Sequence, residues 1–122
     1  MEKSVSVLLE LSGKPGVIAV GEYSYRGDRF SVKGELSDEM ARMASIMCRT
    51  TTMSEHMQAR ILDSFCPDCG ILPPQGWIVR GPMFTVCNIA NVFCFLDNNT
   101  GSLNEIVAQM RELLGDTDPK LI

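Results

Sequence analysis

The chain has 122 residues, about the size of one ordinary domain and too short for two. Apolar residues make up 45% and charged residues 21%, a globular composition with enough apolar material for a core. A net charge of −4, with no run of Lys and Arg, argues against a nucleic-acid partner, because neutralising phosphates needs clustered cations.

The opening residues, MEKSVSVLLELSGKPG, hold no long apolar stretch and no small-residue cleavage site. No apolar run is long enough to span a bilayer, so a cytoplasmic chain with no membrane partner is expected. In that setting the five cysteines are expected as thiols and not as a disulfide framework.

Residues 3–12 place Val5, Leu8, Leu9 and Ser12 on one stripe of a short amphipathic helix, which Gly13 and Pro15 stop. Val17 to Val20 form an apolar run of strand length. Tyr23 and Tyr25 then alternate with polar residues, Gly27-Asp28 supplies a turn, and alternation resumes at Phe30 and Val32, which reads as a β-hairpin. Ser37 is the expected N-cap of a long helix, with Asp38 and Glu39 in its first turn, where the helix dipole favours acids. The helix is expected to reach about Ser64, and Thr50, Thr51 and Thr52 mark a place where it can kink or loosen. Met40, Met43 and Met47 share one stripe and are expected in the core. Met53 lies off that stripe and Met57 near its edge, so both are expected at a dimer or partner contact.

Gly70, Pro73, Pro74 and Gly76 make 66–76 a loop. WIVRG, FTVCNIA and VFCFLD follow as three strands, with Gly81-Pro82 and a tight turn near Ala90-Asn91 between them. Ser102 and Glu105 form a capping box, Ile106, Met110 and Leu113 give the last helix its stripe, and Gly115 ends it. The expected organisation is one domain over 1–115 and a flexible tail over 116–122. The order α-β-β-α-β-β-β-α, with short connections, predicts an α+β fold: one five-stranded antiparallel sheet with helices in profilin-like layers.

With LLELSGKPGVIAVG at the front, where Leu11, Gly16, Val17 and Gly21 stand near the family's positions, this order resembles the roadblock/dynein-light-chain family. GWIVRGPMFTVCNIANVFCFLDNNTGSLNEIVAQMREL is similar to the closing strands and helix of that family, most of all to an uncharacterised prokaryotic branch. The resemblance implies a homodimer whose sheets join edge to edge, with the long helices together on one face. It implies a non-enzymatic scaffold or regulator acting on a Ras-like small GTPase or within a multiprotein complex. The cysteine loop and the methionine-rich helix depart from the family pattern.

Cys66-Pro67-Asp68-Cys69 is the one motif with chemical potential. It follows a helix, so the nearest dipole end is negative, and Asp63 and Asp68 add negative charge. That setting disfavours a reactive thiolate and leaves a loop disulfide or plain thiols, of which two ordinary thiols in a structured turn are expected. A metal reading needs four ligands, and Cys66 and Cys69 give two, so zinc would have to be shared across a dimer. No cofactor is otherwise expected. Cys87 and Cys94 read as core, and Cys48 as core or helix interface. His56 has no Ser or Asp partner at a recognisable spacing and reads as surface or interface. No Walker, GxGxxG, HExxH or GxSxG sequence occurs, and no carboxylate pair is placed across one cleft, so an enzyme is not expected. The rival to the scaffold is a thiol- or metal-binding accessory of a redox or sulfur-metabolism complex, working through Cys66 and Cys69.

Overall fold

The computed structural model describes residues 2–115. The expected tail and the Val5 side chain lie outside the described residues. The elements are α1 (Glu2–Ser12), β1 (Val17–Tyr23), β2 (Phe30–Gly34), α2 (Asp38–Phe65), β3 (Gly76–Arg80), β4 (Phe84–Ile89), β5 (Val92–Asp97) and α3 (Leu103–Leu114). The strands form one five-stranded sheet in the order β2-β1-β5-β4-β3, with every neighbouring pair antiparallel. The expected α+β architecture is therefore the observed one.

Strand alternation assigns the two faces. Val92, Cys94 and Leu96 of β5 join Val20 and Cys87 against α1 and α3, whose Leu8, Leu11, Ile106 and Met110 are buried with them. Phe93 and Phe95 point to the other face, where Tyr23 and Phe93 meet Ala44 and Cys48 of α2. Gly21 lies opposite Phe93, and a Cβ there would collide with the Phe93 ring, so glycine is what lets this ring lie flat across β1.

The termini form as their residues dictate. The Ser37 hydroxyl accepts from the Met40 N–H at 3.2 Å, and the Ser102 hydroxyl accepts from the Glu105 N–H at 3.3 Å. α2 runs unbroken for 28 residues. The Thr50 and Thr51 hydroxyls donate to the carbonyls of Ile46 and Met47 at 2.9 and 3.0 Å, so they bond to the helix without ending it.

Two stripes need correction. In α1 the buried residues are Val7, Leu8 and Leu11, and Leu9 is exposed. In α2 the expected methionine core is inverted: Met40, Met43 and Met47 are 57%, 55% and 51% exposed. The face on the sheet carries Ala41, Ala44, Ser45, Cys48, Thr52 and Ala59. The reason is steric. The sheet already supplies Tyr23, Phe93 and Trp77 on this side, and only small helix residues leave room for those rings.

A relay of hydrogen bonds locks α2 to the sheet. The Trp77 indole N–H donates to Thr52 Oγ1 at 2.8 Å, Thr52 Oγ1 and the Tyr23 hydroxyl are 2.6 Å apart, and the Tyr23 hydroxyl donates to Asn88 Oδ1 at 3.0 Å. For each group to be used once, the Thr52 hydroxyl donates to Tyr23. Asn88 Nδ2 closes the chain on the Ala90 carbonyl at 2.9 Å. One helix and three strands, β3, β1 and β4, thus share a single polar seam. Thr52→Val keeps the shape but removes the central hydroxyl. It is expected to cost about 1–3 kcal/mol in urea unfolding, because the part-buried indole N–H loses its acceptor and the buried Tyr23 hydroxyl loses its Thr52 partner. A loss below about 0.5 kcal/mol would show that the relay carries little of the seating.

Candidate functional site

α2 divides into two flanks around its buried face, by the 3.6-residue period. One flank holds Arg42, Arg49 and Arg60. Arg49 Nε donates to the Tyr25 carbonyl at 2.6 Å, which turns this flank toward the β1–β2 hairpin. The opposite flank turns toward β3, since Gln58 and Leu62 line a groove there with Trp77 and Ile78. Met40, Met47 and Phe65 follow on the same flank, with Met43 and Ile61 on the outer side, all of them exposed. Phe65, at the end of the helix, is 82% exposed.

β3 is an edge of the sheet and continues this apolar surface with exposed Ile78 and Val79. The other edge, β2, carries Lys33 as the fourth of its five residues, a charge that blunts an edge. β3 has no charge before Arg80. Each edge strand thus has one basic residue toward its end, and β3 is the edge that lies beside a bare apolar helix flank.

The residues singled out from the sequence fall in three places. Met53 and Met57 are exposed, on the outer side of α2. His56 is half-buried, with its ring edge-on to Tyr25 at 6.0 Å between centroids. Burial, and then the Arg60 charge, hold its pKa below the ordinary value. Cys66 and Cys69 are joined as a disulfide just past α2, where the Cys66 N–H also caps the helix by donating to the Leu62 carbonyl at 3.0 Å. The two ordinary thiols expected here are therefore corrected to a pair: their Cα atoms stand 5.5 Å apart, within reach of a bridge. Among the described residues no group of three or more His, Cys, Asp or Glu side chains gathers as a metal site. Cys48, Cys87 and Cys94 are buried free thiols, as core readings require, and burial pushes the Cys48 thiol up to about 12.

The sequence reading missed Glu55. It lies on α2 beside the buried face, under Pro73 and Pro74, and its Oε2 is buried without a hydrogen-bond partner. Arg111 of α3 lines the same two chambers as Glu55. Nothing local signals this meeting: it depends on how the 66–75 loop folds back, with the Gln75 carbonyl accepting from the Ala90 N–H at 3.1 Å.

These features define an α+β protein with an unpartnered apolar flank and edge, a disulfide-closed loop and one orphaned carboxylate. No helix among the described residues is long and apolar enough to cross a membrane. Over residues 7–112 the chain matches the family described as "Uncharacterized conserved protein (DUF2173)", and it belongs to that family. No curated protein matches the chain, and no solved structure matches it.

Burial raises the Glu55 carboxyl above the ordinary carboxylate range. A carboxyl whose folded pKa exceeds its unfolded one costs nothing below the unfolded pKa, where both states hold the proton. The cost grows as pH rises through the folded pKa, since only the folded chain keeps the charge in a poorly hydrated place. Glu55→Gln is therefore expected to raise Tm by roughly 1–4 °C at neutral pH, a small gain because the side chain keeps some contact with water. The gain should close on acidification. A lower Tm for the variant at neutral pH would mean that the carboxylate has a stabilising partner.

Proposed function

We propose that this protein is a non-enzymatic homodimeric scaffold or regulator. The second copy joins along β3, extending the sheet, and the α2 flank with Met40, Met47 and Phe65 packs against its counterpart. The observation that supports this reading is the coincidence of a sheet edge with exposed Ile78 and Val79 and an apolar helix flank on one side of the molecule. Isologous packing would bury both at once. Element order and the N-terminal and C-terminal motifs support the roadblock-like assignment. That resemblance implies a Ras-like small GTPase or a multiprotein complex as the partner. Met53 and Met57, on the outer side of α2, are left for that contact, with the half-buried His56 beside them on the flank toward Tyr25; flexible methionine suits a surface that repacks. The setting proposed is the cytoplasm.

The second reading is an accessory protein of a redox or sulfur-metabolism complex that works through Cys66 and Cys69. What favours it is the disulfide at an accessible helix end. In its metal version, zinc would be shared between the reduced loops of two copies.

Sedimentation and elemental analysis separate the readings. The scaffold reading expects a dimer at micromolar concentration, converted to a folded monomer by Val79→Glu or by Met47→Glu. It also expects Cys66→Ser with Cys69→Ser to leave the dimer intact, and no stoichiometric zinc in the protein purified under reducing conditions. A wild-type monomer, or a dimer that survives both charge substitutions, would contradict it. Stoichiometric zinc, or a dimer lost with the cysteines, would favour the second reading.

A further inference from the structure

The Pro73-Pro74-Gln75 strap divides the space between α2, the β4–β5 turn and the end of α3 into two chambers. The smaller has a volume of about 80 Å³ and the larger, more open one about 680 Å³. Glu55 and Arg111 line both, yet they make no ion pair with each other. The larger volume lies within the range of small-molecule sites.

We propose that these chambers bind a small zwitterion, an aliphatic amino acid whose ammonium group meets Glu55 and whose carboxylate meets Arg111. Four observations carry this. Glu55 Oε2 is a buried acceptor with no donor, a state that an incoming N–H would relieve. Tyr25 and Thr52 line the small chamber beside it, and an aromatic residue suits an ammonium ion. Ile89, Pro73 and Pro74 border both chambers and offer an apolar path for a short carbon chain. Arg111 supplies the opposite charge at an exposed position. The signs also select. A simple amine is opposed by Arg111 and a simple carboxylate by Glu55, so only a ligand carrying both charges is favoured at both ends. The walls are fixed before binding, by helix α2 and by a strap held to Ala90, so little ordering cost is added.

Trp77 is the sole tryptophan of the chain and lines the larger chamber, so its emission reports occupancy. The full chain would be titrated with L-leucine and with 4-aminobutanoate, then with n-butylamine and butanoate as single-charge controls. At least one zwitterion should give a saturable change, with both controls weaker by roughly tenfold or more. Glu55→Gln and Arg111→Gln should each weaken the zwitterion by a similar factor, with melting curves showing that the variants are folded. Arg111→Gln, at an exposed position, keeps the test open if the other variant folds poorly. No saturable response to either zwitterion, controls that bind as tightly, or unchanged affinity in a folded variant would overturn the assignment.

Discussion

The close seating of α2 on the sheet is the constraint from which the other features follow. Ala41, Ala44, Ser45, Cys48, Thr52 and Ala59 put little volume between the helix axis and the rings of Tyr23, Phe93 and Trp77. Large side chains on that face would lift the helix and open voids along it. The apolar residues that the helix also carries must then stand elsewhere, and they stand outward. A core built from small residues and aromatic rings is thus the direct cause of a surface rich in methionine.

The same seating creates the two other places of interest. With the helix held down by Thr52, Glu55 one turn later is carried toward the β4–β5 turn and under the diproline strap, where one of its carboxylate oxygens, Oε2, loses water and gains no partner. At the far end, α2 stops at a disulfide-closed turn that sets the direction of the 66–75 loop. Apolar flank, orphaned carboxylate and closed loop lie along one helix, so a change in its seating reaches all three.

The element order was legible because it rests on local signals: Gly13 and Pro15 after α1, Ser37 before α2, Pro73 and Pro74 in the loop, Ser102 before α3. The facing of α2 was not, because hydrophobicity favours methionine over alanine or threonine as core material. Steric fit to rings arriving from β1, β3 and β5 decided otherwise, and those partners are remote in the chain. A signal was present nonetheless. Ala41, Ala44, Cys48, Thr52 and Ala59 recur at helical spacing as a row of small residues, the pattern of a closely approached face. Met53 and Met57 are set apart by their departure from the stripe of Met40, Met43 and Met47, yet all five methionines are exposed. The chamber at Glu55 and Arg111 had no such trace, since a tertiary fold-back of the loop brings α2 and α3 to it.

The central claim, that small residues seat α2 and leave its methionines for a second copy, is tested most directly by methionine oxidation footprinting at increasing protein concentration. The account predicts that Met110, fully buried, resists peroxide throughout. Met40 and Met47 should react in dilute protein and become protected as copies associate, while Met53 stays reactive. Reactive Met110, or Met40 and Met47 equally oxidised at every concentration, would contradict it.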